Sequence, residues 1–275
     1  MTVYGPPWAV DGPAPSPPAY TLLSSIDVVD EAGNEWANGV QIAPYLPGPA
    51  KRYDPCATSP GTMTSTSPLT VDQFGAFLVY LQQTCTTRGA RGYDDETARL
   101  RASFAAVEAA QVEAQVWDGG TGVGHALIDS GATLPNGSTA TSPGPALALL
   151  EQAIAASGRR GMIHATPRVV SQWSQNGALI QRPGRLETVL GTVVVPGAGY
   201  SGAAPAGATA VSGLEAYAFA TGLMQARREA SITITGGDDA QSVDRAVNQR
   251  TIQAQRLYVV TWDASLRAAV RVSLT

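Results

Sequence analysis

The side chains in this 275-residue sequence that could do covalent or metal chemistry are few and scattered. There are two histidines, His125 in a glycine-rich stretch and His164 at the end of an expected strand, and two cysteines, Cys56 and Cys85. Neither cysteine has a histidine at ligand spacing, and two thiols are too few for a zinc cluster or a disulfide framework. A Cys/His dyad needs proximity in space rather than in sequence, so Cys85 with His164 would suit a small hydrolase whose imidazole activates the thiol. The histidines otherwise read as ordinary polar residues. Cys56 and Cys85 read as free thiols, or as a disulfide pair in an oxidising compartment. Asp238, Asp239 and Asp244 could face a cation, but their spacing is not that of a calcium loop and fits a solvated turn better. The glycines of GGTGVG (119–124) would suit a phosphate, yet they follow an expected helix, whereas a nucleotide loop follows a strand and opens a helix. They read as a helix stop and a linker. No catalytic, cofactor-binding or metal-ligating set emerges, so neither an enzyme nor a cofactor is expected.

The element around which any site would be built is the stretch Tyr93 to Gly119. Asp94, Asp95 and Glu96 suit the free N–H groups and positive dipole end of a first turn, and Gly119 with Gly120 marks the stop. Leu100, Phe104, Val107, Gln111, Ala114 and Trp117 recur at steps of three and four, widened by Val112 and Val116. Glu108 and Glu113 are expected largely outside this stripe, with Arg99 and Arg101 beside Leu100 on the wet side. A helix of about 24 residues would run about 36 Å, long enough to span a domain. Alanines at 102, 105, 106, 109 and 110 favour the helix and allow another backbone to come close.

Ahead of this rod, residues 1–20 are proline-rich and read as an extended arm anchored by Tyr4, Trp8 and Tyr20. Between Ser24 and Pro44 two short β-type runs, Ile26 to Val29 and Trp36 to Ile42, flank a turn at Ala32, Gly33 and Asn34 and read as a β-hairpin. Tyr45 to Pro68 reads as a long projecting loop of low complexity. Leu69 to Cys85 fits a helix through Phe74, Phe77, Leu78 and Leu81, in preference to a strand over Phe77 to Leu81. After the rod, Thr121 to Pro143 reads as a linker. Pro145 to Ala156 is an amphipathic helix, Gly161 to Ala165 a strand, and Pro167 to Gln175 a helix opened by proline and capped by Thr166. Thr192 to Val195 is a further strand. The chain closes in strands at 214–222, 231–235, 248–262 and 268–274, with Asp263 to Arg267 turning the last two into a hairpin. The fold class is α+β.

Composition narrows the function. Gly 29 and Pro 19 together make roughly 17% of the chain, against a usual ~12%, which implies many turns and extended segments. A net charge of −4 with 15% charged residues does not suit a grip on a phosphate backbone. No stretch approaches the ~20 apolar residues of a membrane span, and no basic start precedes an apolar run, which points to the cytoplasm.

Several segments carry a family resemblance: VEAAQVEAQVWDG (107–119), GMIHATPRVVSQW (161–173), GTVVVPGAGYSGAAPAG (191–207), AYAFATGLMQARRE (216–229), and RLYVVTWDASLRAAVRVSL (256–274) with Asn248 and Thr251-Ile252 before it. In this order they are similar to the spine helix, axial strand and helix, axial loop and closing peripheral strands of the major capsid proteins of tailed bacteriophages. That fold is shared with the encapsulin nanocompartments. The resemblance runs from about residue 25 to the end. It implies an N-terminal arm (1–24), an extended loop (25–70), a peripheral domain with the spine helix (71–120), an axial domain (121–222) and peripheral β-strands including a long hairpin (223–275). It implies a structural protein assembling with itself into the hexamers and pentamers of an icosahedral head around double-stranded DNA, formed in the host cytoplasm and ending in the virion. Portal, scaffold or decoration proteins are its implied partners, DNA is met only non-specifically, and no membrane is involved. Interface candidates are Trp8, Tyr20, Trp36, Tyr45 and Lys51. The family often carries an N-terminal scaffolding extension, and the direct start at the arm implies a separate scaffold or none. Some members cross-link a loop lysine to a peripheral asparagine beside a glutamate; Lys51 and Asn248 would fill the first two roles, but no glutamate follows Glu229. An encapsulin-like shell around an enzyme cargo is the alternative within the fold. A Cys85/His164 hydrolase, or a small decoration oligomer, is the alternative outside it.

Overall fold

A computed structural model describes residues 13–33, 35–43, 71–86, 93–120, 124–236, 243–244 and 249–275. Before the long helix lie a short helix α1 (Leu22–Ser25) and the strands β1 (Asp27–Glu31), β2 (Val40–Ile42), β3 (Asp72–Phe74) and β4 (Phe77–Thr86). The long helix is α2 (Tyr93–Asp118). It is followed by β5 (Pro135–Ser138), α3 (Pro143–Ser157), β6 (Gly161–Ala165), α4 (Pro167–Gln175), β7 (Leu179–Arg182), β8 (Arg185–Thr188) and β9 (Val193–Pro196). The chain closes with β10 (Glu215–Gly222), β11 (Met224–Glu229), β12 (Thr233–Gly236), β13 (Val243–Asp244), β14 (Gln249–Trp262) and β15 (Arg267–Ser273). The architecture is mixed α+β, as expected.

Helix α2 has 26 residues and runs about 39 Å at 1.5 Å per residue. It stops where Gly119 takes φ +72° and donates its N–H to the Gln115 carbonyl at 2.9 Å. Its buried face is not quite the expected stripe. Leu100, Phe104 and Trp117 are buried as anticipated, but Val107 is 41% exposed and Gln111 faces solvent. The buried row steps by four through Leu100, Phe104, Glu108, Val112 and Val116, and both Glu108 and Glu113 are inside. With alanine on both flanks, apolarity alone marks no single face. The partners described below decide which side is covered.

The first sheet is organised on β14, which pairs with β4 on one edge and with β11, β12 and β13 on the other; β1 lies outside β11. Several expectations are corrected here. Residues 69–85 do not form a helix but carry β3 and β4, the latter paired with β14 from Phe77↔Tyr258 to Thr86↔Gln249. Apolar residues at 74, 77, 78 and 81 fit either period, and the long antiparallel partner selects the strand. Nor does the hairpin at 24–44 form. β1 runs parallel to β11, held by Arg228 Nε to Asp30 at 2.7 Å, Gln225 Nε2 to Asp27 at 2.9 Å and an Arg227–Glu31 ion pair, while β2 pairs with β3. The C-terminal hairpin of β14 with β15 is also absent. β15 pairs with β10 in the second sheet, so 267–273 leaves the strands with which it was grouped; the long antiparallel partner of β14 in the same run is β11–β12. Between the β11 and β12 ladders the pairing with β14 is interrupted, and the Glu229 carboxylate accepts the Leu257 N–H at 3.1 Å.

The second sheet has the order β15-β10-β6-β9-β8-β7. In β10 the alternation of large and small residues sorts them onto two faces. Tyr217 and Phe219 join the core shared with α2, while Ala216, Ala218 and Ala220 join the core under α3 and α4. Helix α3 begins with Pro143 and ends at Gly158, left-handed at φ +67°, with Leu147, Leu150 and Ile154 buried. Helix α4 buries Val169, Val170 and Trp173, and the Trp173 indole donates to the Pro143 carbonyl at 2.7 Å. Pro167 opens α4 as expected, but Thr166 does not cap it through its side chain. The β7–β8 hairpin was not anticipated, although Pro183-Gly184 at its tip is a turn signal; Gly184 has φ +77°.

Candidate functional site

His164 has both ring nitrogens occupied. It is fully buried on β6, with Nδ1 2.9 Å from the Tyr200 hydroxyl and Nε2 2.8 Å from the Thr221 hydroxyl. The Thr221 hydroxyl donates to the Gly222 carbonyl at 2.8 Å, so it accepts from Nε2–H, and Nδ1 accepts from Tyr200. Burial lowers the imidazole to about 3 and pushes the Tyr200 phenol well up, helped by the Glu113 charge. A neutral, doubly bonded, solvent-free imidazole has no nitrogen left to activate a thiol, which removes the His164 half of the dyad. Cys85 sits in β4 of the first sheet, paired with Arg250 of β14, whereas His164 is in the second sheet, and Cys56 lies outside the described residues. His125 tilts over Phe74 at 4.9 Å and lies 3.8 Å from Asp72, at the mouth of a polar cleft with Asp129 and Arg267. Among the described residues no group of three His, Cys, Asp or Glu could hold a metal. Asp238 and Asp239, and the central 121–123 of GGTGVG, lie outside the described residues.

The chemistry that is present joins elements. On α2, Glu108 accepts from Arg256 Nη1 at 3.1 Å and from the Tyr258 hydroxyl at 2.6 Å, with Arg228 at 3.9 Å. Burial, then the hydrogen bond to Glu108, raises the Tyr258 phenol, so it remains a donor. A little more than one turn further on, Glu113 has no cationic partner among the described residues. It accepts the Leu22 N–H at 2.8 Å, tying down α1, and the Gly199 N–H at 3.1 Å, tying down the loop after β9. Desolvation raises its carboxyl, with those backbone donors acting in the opposite sense. The Gly199 loop crosses α2 so closely that a Cβ there would lie 1.8 Å from the Ala110 carbonyl oxygen. Here the alanine-rich flank does what was expected of it and lets a backbone in.

The remaining candidates are surfaces. Tyr20 is half-buried and accepts from Gln181 Nε2 on β7. Trp36 is 8% exposed and belongs to this chain's own core, so its ring is not offered to a neighbour. Trp8, Tyr45, Lys51 and Asn248 lie outside the described residues. Two apolar patches had not been singled out. One is the outer side of β4, where Leu78 and the 59% exposed Tyr80 border a cleft with Val107 and Gln111 of α2. The other is the turn after β8, where Val189 and Leu190 stand beside a groove along α3. The signal for the second was an apolar pair ahead of Gly191, where turn residues are usually polar. No described helix is long and apolar enough to cross a membrane.

No protein-family model and no curated protein matches the sequence. Solved structures match over almost the whole chain. The holo-SrpI encapsulin complex of Synechococcus elongatus PCC 7942 matches with a TM-score of 0.58 at 9% identity, covering 98% of this chain and 94% of that one. The capsid of an empty GTA particle matches at 0.59 with 11% identity, covering 98% and 95%. A chain from Microbacterium phage Oxtober96 matches at 0.57 with 9% identity, covering 99% and 96%. The chain has the fold that phage capsid proteins share with an encapsulin shell.

Proposed function

We propose that the chain is the repeating subunit of an icosahedral shell, the major capsid protein of a tailed bacteriophage whose head encloses double-stranded DNA. The observation that carries this reading is the full-length likeness of fold to proteins whose work is to form a closed wall. On this reading α2 is the spine helix, the first sheet belongs to the peripheral domain, and the second sheet with α3 and α4 forms the axial domain. The strand β15 is assigned to the axial domain because its ladder is with β10, and β1 to the peripheral domain because its ladder is with β11. The domain limits at 24, 70, 120 and 222 otherwise stand as proposed.

Function is then assembly. One sequence fills hexamer and pentamer positions, contacts between copies are individually weak, and their number makes the shell strong. A net charge of −4 suits an inner wall that does not hold packaged DNA by phosphate contacts. Tyr20 and the arm before it, with Tyr45 and Lys51, remain proposed contacts to neighbours, and Cys56 and Cys85 a proposed disulfide. Portal, scaffold and decoration proteins are the proposed partners, the virion the final location, and the host cytoplasm the place of assembly.

The likeness to an encapsulin is as good as that to a capsid, so a compartment holding protein cargo is the second reading. The test is to express the full chain, alone and with its genomic neighbours, and examine it by negative-stain electron microscopy and light scattering. Closed particles or capsomers are expected, and nuclease-protected DNA rather than packaged protein separates the two readings. A monodisperse monomer or dimer at every salt concentration would overturn both.

A further inference from the structure

Strand β4 is one edge of the first sheet: among the described residues its only ladder is with β14. A cleft of about 430 Å³ runs along it, lined by residues 77–82 of β4 and by Val107, Gln111 and Gln115, a row of residues one turn apart on α2. Successive residues of a strand point to opposite faces, so a cleft that touches all of 77–82 follows the edge of the strand, where its outward N–H and C=O groups lie, and not one face. Leu78 and Tyr80 stand beside it at 47% and 59% exposure. On α2, Val107 and Gln111 belong to the stripe expected to be covered, yet both lie in solvent.

Exposed edge strands are usually protected by charge, proline or shortness. The far edge of the same sheet follows that rule, since β1 carries Asp27, Asp30 and Glu31 in five residues. The edge strand β7 of the second sheet has four residues and ends in Arg182. β4 reads FLVYLQQTCT, ten residues with no charged side chain and no proline. Its backbone edge calls for a strand, and its side chains call for one that brings no charge.

We propose that the occupant is a second copy of this chain, its β4 pairing antiparallel with this β4 across a two-fold axis. Two identical strands paired antiparallel are related by such an axis, so this edge is its own complement and needs no second surface. An uncharged edge can meet itself, whereas β1 would set its acids against their own copies. The dimensions also fit. α2 lies over β4 and β14 alike, and strands are spaced by about 4.8 Å, so the α2 of the copy comes to about 10 Å from this one, the distance of packed helices. The uncovered flank with Val107 and Gln111 then faces its symmetry mate. Residues directly opposite each other share a face, so the axis passes beside a residue and not between two; Tyr80, midway along the exposed row Leu78, Tyr80 and Gln82, is that residue. This rests on the shell reading above, whose icosahedral symmetry contains two-fold axes, and names the residues of one of its contacts.

The test uses the full chain. Tyr80→Lys leaves the fold intact, with a melting temperature of the unassembled subunit within about 2 °C of the wild type, because the side chain is mostly in solvent. It sets two ammonium groups against each other at every two-fold contact and lowers the mass fraction in closed shells more than about ten-fold. In a Cys56→Ser, Cys85→Ser background, Tyr80→Cys chains within assembled particles are joined to each other by mild oxidation or a short bis-maleimide, and dilute unassembled subunits are not. If the wild type assembles and Tyr80→Lys assembles equally, the pairing is refuted while the shell reading stands. If Tyr80→Lys blocks assembly but Tyr80→Cys chains do not join within particles, a different segment covers β4 and the pairing is likewise refuted. If the wild type forms no oligomer at all, the shell reading falls and takes the pairing with it.

Discussion

Acid should unfold this subunit in part through a single imidazole. Folded His164 titrates at about 3, against 6.5 for the free group, because full burial disfavours its charged form. Between those values the unfolded chain binds a proton that the folded chain does not. Stability from this group is therefore complete above 6.5 and is lost as pH falls toward about 3. At about 1.4 kcal/mol per pH unit the loss is about 2 kcal/mol at pH 5 and approaches about 5 kcal/mol over the whole window. That is a large share of the roughly 5–15 kcal/mol of a typical domain. His164→Gln isolates the effect, since the amide can still donate toward Thr221 and accept from Tyr200 but does not titrate. Urea unfolding of the unassembled subunit should place the variant about 1–2 kcal/mol below wild type at pH 7.5, from imperfect packing. The gap should close or invert by pH 5. Carboxylates elsewhere titrate in both proteins and cancel in the difference. A difference that stays constant from pH 7.5 to 4.5, or a ring signal of His164 that titrates near 6.5 in the folded protein, would refute the reasoning.

Glu113 should show the opposite sign. Its carboxyl is raised above 4.5 by desolvation, so the folded state holds the proton longer than the unfolded chain, and its contribution to stability falls as pH rises through that window. The stability of Glu113→Gln relative to wild type should accordingly rise with pH over the same range, read from paired urea curves. Glu108→Ala leaves Arg256 and the Tyr258 hydroxyl buried without their carboxylate and should cost about 3–5 kcal/mol. Tyr258→Phe removes one hydrogen bond and should cost about 1–2 kcal/mol, and a smaller effect of Glu108→Ala than of Tyr258→Phe would contradict the pairing. Gly199→Ala places a methyl against the Ala110 carbonyl and should destabilise by about 1–3 kcal/mol, visible as a lower urea midpoint, whereas an unchanged midpoint would mean the loop does not cross α2 so closely.

Elements with a strong local signal were legible in the sequence. The periodicity of α3, read from Pro145 with Gly158 beyond its end although the helix starts two residues earlier at Pro143, and the β-branched run of β9 each follow from neighbours in the chain. So does the placing of Tyr217 and Phe219 on one face of β10 with the alanines on the other. Pairing was not legible, because it depends on residues far away. The side-chain bonds that set β1 against β11 join Asp27, Asp30 and Glu31 to Gln225, Arg228 and Arg227, about two hundred residues on. Residues 69–85 satisfied two periods at once, and only the length of β14 breaks the tie. Glu108 and Glu113 were placed in solvent because a carboxylate on an alanine-rich helix carries no mark of the arginine or the backbone amides it will meet.

The two buried carboxylates also explain why α2 has one register. A helix whose flanks are mostly alanine could slide by one turn, about 5.4 Å, with little change in the apolar area it covers. Such a slide would carry Glu108 away from Arg256 and Tyr258, and Glu113 away from the Leu22 and Gly199 amides, burying charges and donors on both sides without partners. Each buried group left so costs about 1–3 kcal/mol, more where it is charged, so the slid state is far above the native one even if its packing is equal. The first carboxylate indexes the helix to the first sheet, and the second indexes it to the loop that leaves the second sheet. The two sheets are then indexed to each other by two carboxylates five positions apart on one helix. The strands β10–β11 and β14–β15, which pass from sheet to sheet through Leu223 and through residues 263–266, supply the covalent tether but not the angle. For a subunit that must present the same contacts many times over, that division of labour places the geometry in α2.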